Sequence, residues 1–177
     1  RLRETRLLTL TGTGGTGKTR LSLRVGEELL GEYPDGVWFV ELASISDPDL
    51  IVDAVAAVLD VRGSAEQTLM TTLTRYLDRQ RTLIILDNCE HLVEGAATFA
   101  QEFLTACSGP RILATSREVL GVNGEATWRV PSLSLPDHDD EPEGDDLTHF
   151  EAVRLFVDRA RAARSDFALT DENATVV

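Results

Sequence analysis

The chain has 177 residues, 42% hydrophobic and 27% charged, with a formal net charge of -13. That length supplies one sizeable core and is marginal for two; the charge argues against general nucleic-acid binding, and no apolar run approaches the roughly 20 residues of a membrane helix. No basic-then-apolar leader precedes the first strand, and Cys89 and Cys107 have neither metal-ligand nor Cys-x-x-Cys spacing, so the expected setting is a reducing cytoplasm with no membrane partner.

Strand-like and helix-like runs then alternate, the pattern of a parallel sheet with helices on both faces. Residues 6–10, RLLTL, read as the first strand, and Leu21, Val25 and Leu29 recur behind it at helical spacing. GVWFVELA (36–43) is the second strand. Asp47 offers an N-cap with Pro48 at the first helical position, and Ile51, Val55 and Val58 are expected to share a face. Leu69, Leu73 and Leu77 mark another helix. TLIILD (82–87) is continuously apolar up to its last residue, as befits a strand buried on both faces. A helix from about His91 to Ala106 should turn Leu92, Ala96, Phe99 and Phe103 inward. RILAT (111–115) and ATWRV (126–130) complete five strands.

Seven carboxylates follow with no Lys or Arg among them: Asp137, Asp139, Asp140, Glu141, Glu143, Asp145 and Asp146. Such a run reads as a solvated linker. It divides a domain over residues 1–135 from a helical region over 148–177, with 136–147 as the acidic connection. The last helix opens on a capping-box pattern, Thr148 and Glu151, and carries Val153, Phe156, Val157 and Ala160 on one side.

The strongest motif lies between the first strand and the first helix. Gly12-Thr13-Gly14-Gly15-Thr16-Gly17-Lys18-Thr19 matches G-x-x-x-x-G-K-[ST]. Bare glycines let backbone N–H groups converge on phosphate oxygens, and the helix N-terminus adds partial positive charge. Lys18 can reach the β- and γ-phosphates, and the Thr19 hydroxyl suits magnesium. Arg20, next in line, completes the run expected to bind nucleotide. Lys18 is expected to be a site residue with little packing role. A second group on the metal side is Asp87, a carboxylate at the C-terminal edge of a buried strand, where open α/β sheets bind ligands. It is assigned to magnesium through water, against the alternative of a helix N-cap. Thr115, Ser116 and Arg117 end the next strand at the same edge. Arg117 could neutralise a γ-phosphate or merely pair with Glu118 or Glu125 on the surface.

Taken together, TLTGTGGTGKTRL, LIILDNCEHL, ILATSREVLGVNGE and WRVPSLSLP resemble the nucleotide-binding domain of STAND regulatory ATPases, specifically the NB-ARC-like domain of large bacterial transcriptional regulators. The resemblance runs over residues 7–160. It implies a three-layer α/β P-loop NTPase fold of ASCE type, with a mostly parallel five-stranded sheet and a C-terminal helical segment. The strand bearing Thr115 should lie between those bearing Leu10 and Asp87. The likeness also implies Mg2+-dependent ATP/ADP switching that controls partner domains or protomers, with Lys18 and Thr19 as Walker A residues, Asp87 as the Walker B aspartate and Arg117 as a sensor arginine.

Three departures qualify that likeness. Many relatives carry a second acid after the Walker B aspartate; here Asn88 stands there, and an amide orients water but is a poor base. Glu90 is a candidate substitute base, or else faces solvent or the helix dipole. The upstream glycine-arginine segment that helps hold adenine has no match, so adenine and guanine both stay open. Finally, the family continues into helical and winged-helix regions where this sequence ends in DENATVV. His91 reads as a helix-start residue. The leading expectation is a slow, regulatory ATP/ADP switch. A small-acceptor kinase and a catalytically inactive interaction platform are the rivals. The GTPase motif Asn-Lys-x-Asp and an ABC signature loop are both absent from the sequence.

Overall fold

In the computed structural model, residues 1–64, 66–136, 147–170 and 173 are described. The chain runs β1 (Leu7–Thr11), α1 (Lys18–Leu29), β2 (Val37–Glu41), α2 (Ile51–Val58), α3 (Leu69–Leu77), β3 (Leu83–Asp87), α4 (Val93–Ala106), β4 (Arg111–Ser116), β5 (Glu125–Arg129) and α5 (Glu151–Ala163). Five strands form one sheet in the order β2-β3-β4-β1-β5, and every pairing is parallel. The strand bearing Thr115 therefore lies between those bearing Leu10 and Asp87, as expected. In a parallel sheet all strands end on the same edge, which gathers Thr11, Asp87 and Ser116 beside one another.

All five residues of β3 are buried because both faces are covered. Alternate side chains sort into two cores. Leu83 and Ile85 join Leu8, Leu10 and Leu113 on the side of Val25 and Leu29 of α1. Ile84 and Leu86 join Leu7, Ile112 and Ala114 under residues of α2, α3 and α4, including Phe99 and Phe103, whose rings stack at 5.3 Å. The result is the three-layer α/β arrangement of a P-loop NTPase.

Several local expectations change. The face of α1 against the sheet carries Ser22 and Gly26. A Cβ at Gly26 would come within 2.9 Å of Ile85 Cδ1, so a larger residue there would need Ile85 to shift. Leu21, partly exposed, lines an apolar hollow of about 450 Å³ with Val25 and Leu29 of the same helix and with Leu8, Leu10 and Trp128, so the three keep the shared face that their spacing implies. On α2, Ile51 and Val55 are buried, but Val58 is exposed because Ala56 and Leu59 take the inward positions. The Asp47 cap forms: its carboxylate accepts the Asp49 N–H at 3.0 Å, over a 3-10 turn, Pro48–Leu50, that leads into α2. α4 begins two residues later than expected, after a second 3-10 turn, Cys89–His91.

Two compact units divide the chain, Arg1–Val130 and Pro131–Val177. Of the expected acidic linker, residues 137–146 lie outside the described residues. In the second unit Val153 and Val157 of α5 pack with Leu147, whereas Phe156 is exposed and meets Phe167 edge-on at 6.0 Å. The Thr148–Glu151 capping box does not form, because α5 starts at Glu151 with Phe150 as its N-cap. Ser134 supplies the reciprocal arrangement instead. Its hydroxyl accepts the Glu151 N–H at 3.0 Å, and Glu151 Oε2 accepts the Ser134 N–H at 3.3 Å.

Candidate functional site

The loop between β1 and α1 is shaped by its glycines. Gly15 and Gly17 have φ of 83° and 82°, in the left-handed region that a Cβ disfavours. Gly17 is the N-cap of α1 and offers no side chain to its first turn, so the helix presents backbone N–H groups toward the loop. Thr16 tightens the turn by donating its hydroxyl to the Thr13 carbonyl at 3.0 Å. Lys18 is buried at 8% exposure, and its ammonium donates to the carbonyls of Gly12 at 2.9 Å and Thr13 at 3.0 Å. It thus closes the loop upon itself, a packing role that the sequence pattern did not suggest.

Asp87 is the junction of the sheet edge. Thr19 Oγ1 donates to Asp87 Oδ2 at 3.0 Å, and Thr115 Oγ1 donates to Oδ1 at 2.6 Å. Both carboxylate oxygens are engaged, and the N-caps of the following 3-10 turn and helix are Asn88 and Leu92, so Asp87 caps neither. Thr115 is itself bridged, since its oxygen accepts the Asn88 N–H at 2.9 Å. Three elements, α1, β3 and β4, are joined here by hydroxyls on one 4%-exposed carboxylate.

Just beyond Asp87 the backbone reverses sharply. Asn88 is left-handed, with φ 65° and ψ 49°, a conformation that asparagine tolerates better than most side chains. Its amide Nδ2 lies 3.3 Å from His91 Nδ1, and His91 Nε2 lies 2.7 Å from the Ile45 carbonyl. Since that carbonyl can only accept, Nε2 carries the proton and Nδ1 accepts from Asn88. His91 therefore pins the turn to the segment after β2, a role beyond that of a helix-start residue.

Glu90 and Arg117 meet across the turn. Arg117 Nε donates to Glu90 Oε1 at 3.0 Å, so neither Glu118 nor Glu125 is its partner. Glu125 instead accepts the backbone N–H groups of Leu120, Gly121 and Val122. Glu90 does not face open solvent, its side chain being 16% exposed against 66% for Arg117. The guanidinium lies over the glycine loop: Nη2 is 3.8 Å from the position a Cβ on Gly14 would take.

These residues surround a cavity of about 560 Å³ lined by Gly14, Gly15, Gly17, Lys18, Thr19, Arg20, Leu23, Asn88, Glu90 and Thr115. Of the residues expected in the site, the glycine-loop residues from Gly14 to Arg20 other than Thr16 line this cavity with Asn88 and Glu90, whereas Gly12, Thr13, Thr16, Asp87 and Arg117 are not among its lining. Thr115 and Leu23 were not assigned roles from sequence. A threonine at a strand end carries no spacing signal, and Leu23 reads as one more helix residue. The thiol of Cys89, fully buried under the turn, is pushed up to about 12, first by burial and then by the Asp87 and Glu90 carboxylates. It stays a neutral packing group whose Sγ lies 3.5 Å from the Leu86 carbonyl.

The AAA domain family matches residues 2–122. A Mycobacterium tuberculosis H37Rv protein named as an HTH-type transcriptional regulator is 40% identical over 176 residues, covering 99% of this chain and 18% of its own length. The regulatory protein AfsR of Streptomyces griseus is 30% identical over 116 residues, covering 61% of this chain and 11% of that protein. The chain thus spans less than a fifth of these regulators. Among solved structures, a STAND protein with a tetratricopeptide repeat sensor from Pyrococcus horikoshii aligns with a TM-score of 0.52 at 14% identity, covering 99% of this chain and 27% of that one. Cdc6p from Pyrobaculum aerophilum aligns with a TM-score of 0.52 at 17% identity, covering 89% of this chain and 44% of that one. Both likenesses concern the fold. The chain belongs to the AAA domain family, as a P-loop nucleotide-binding domain of the kind carried by regulator-like proteins.

Proposed function

We propose that the chain is an ATP/ADP-binding switch of the NB-ARC-like type that hydrolyses ATP slowly and controls an output region of a longer protein. The observation that carries this reading is the Asp87 junction, where hydroxyls from the glycine-loop helix and from β4 converge on one carboxylate. Such a junction links occupancy of the loop to two separate elements of the sheet, as a switch needs.

Lys18 would exchange its loop carbonyls for phosphate oxygens, which are better partners because they are charged. Thr19 and Asp87 fit Mg2+, since both present hard oxygens within 3.0 Å of each other. Among the described residues no cluster of three or more His, Cys, Asp or Glu side chains could hold a metal alone. Two protein oxygens with the phosphates and water completing the shell is the usual magnesium arrangement. When bound, the ion neutralises charge on the phosphates. Arg117 would answer the γ-phosphate. Asn88 and Glu90 line the same cavity and are the candidates to orient water. Asn88 cannot serve as a strong base, so binding should outlive turnover, which should fall below the usual lower range of about 1 per second.

Partners are then the nucleotide and other domains or protomers of the regulator, in the cytoplasm. Direct nucleic-acid contact by this region is disfavoured by the net charge of -13. Among the described residues no helix is long and apolar enough to cross a membrane. The test is thermal unfolding with Mg-ADP or Mg-ATP. At a hundredfold excess over Kd, binding only to the folded state adds about 2.7 kcal/mol, a melting shift of roughly 5–10 °C at this size. A flat response at millimolar nucleotide refutes the binding claim.

A further inference from the structure

Glu90 occupies a position where two demands of the cavity conflict. Its shielded carboxylate lines the same cavity as Lys18 and Thr19, yet it is an anion beside the place where phosphates would bind. It also holds Arg117 through Nε at 3.0 Å, the shielded partner anchoring the exposed one. The guanidinium so held reaches the loop at Gly14. One cation therefore stands between two claimants.

We propose that Glu90 competes with the terminal phosphate of ATP for Arg117 and thereby biases the site toward ADP. The inference rests on the switch reading above, in which Arg117 answers the third phosphate. If that phosphate takes Arg117 away, Glu90 is left as a shielded carboxylate without its counter-charge, which is costly. If the two anions share the guanidinium, they sit near each other with one positive charge between them. ADP meets neither penalty. Glu90 is thus a discriminating residue that acts through Arg117, and its effect falls on the choice of nucleotide.

Isothermal titration of the purified protein with Mg-ADP and with a non-hydrolysable ATP analogue tests this. Glu90→Gln keeps the shape and an acceptor oxygen for Arg117 while removing the charge. It should raise the ratio of ATP-analogue to ADP affinity by roughly three- to fivefold, the range that a partly exposed ion pair sustains; the ratio is the readout because repulsion common to both nucleotides cancels in it. In an Arg117→Ala background most of that gain should vanish. A ratio left unchanged by Glu90→Gln, or lowered because Glu90 instead holds Arg117 ready for ATP, overturns the proposal. So does a full gain that persists without Arg117, since it would show direct repulsion and no competition. A wild-type protein that binds neither nucleotide overturns the switch reading as well, whereas binding of both with an unresponsive ratio overturns this inference alone.

Discussion

Thr115→Val removes one hydroxyl and almost no volume, so it isolates the hydrogen bonds at the Asp87 junction. Thr115 is 2% exposed, and its oxygen makes two bonds, donating to Asp87 Oδ1 at 2.6 Å and accepting from Asn88 N–H at 2.9 Å. A bond to a carboxylate is worth about 1.5–3 kcal/mol, and an orphaned buried donor costs about 1–3 kcal/mol. Asp87 keeps Thr19 on its other oxygen and the Asn88 amide is only partly buried. The lower ends therefore apply, for a loss of about 2.5 kcal/mol. At roughly 2–4 °C per kcal/mol for a chain of this size, the melting point should fall by about 5–10 °C. Urea unfolding gives the free energy directly, and Thr115→Ser, which keeps the hydroxyl, should lose only about 1 kcal/mol for its buried methyl. A valine variant within about 0.5 kcal/mol of wild type would refute the reasoning, because the junction would then contribute nothing beyond packing.

Three further expectations concern the same region. Lys18→Ala should abolish the nucleotide-induced melting shift. It should also cost about 1–2 kcal/mol without nucleotide, because the ammonium's bonds to Gly12 and Thr13 are lost while those carbonyls can turn to water; an unchanged melting point would deny the loop-closing role. Asn88→Asp keeps a residue that tolerates the left-handed turn and restores an acid after Asp87, so steady-state phosphate release should rise above wild type; a rate no higher would mean that the position is not aimed at water. Burial raises the Cys89 thiol from 9.0 to about 12 and the Cys107 thiol to about 11. Unfolded thiols lose their protons first, so this contribution to stability is whole below pH 9.0 and lost as pH rises toward 12. Alkylation at pH 8 should accordingly track global unfolding in urea, and rapid labelling of the folded protein would contradict the burial of both thiols.

Periodicity and local chemistry by themselves determined the five strands, the alternation with helices and the glycine loop. β3 is a clear case, since a short run of apolar residues ending in Asp87 leaves no polar face for water and so suits a strand covered on both sides. The loop is legible because its glycines, Lys18 and Thr19 are adjacent in sequence and their spacing is itself the mechanism. Tertiary structure decided whatever depends on distant pairing. For Arg117 the sequence suggested Glu118 or Glu125 as surface partners, and only the return of β4 beside β3 brought Glu90 to it instead. Ser134 took the place expected of Thr148 as the partner of Glu151, because the chain's return beside the start of α5 outranks spacing along the helix. Sequence spacing encodes which side chains share a face. Which side chain then meets which partner is set by where the strands end, and in this chain β1, β3 and β4 end together around Asp87.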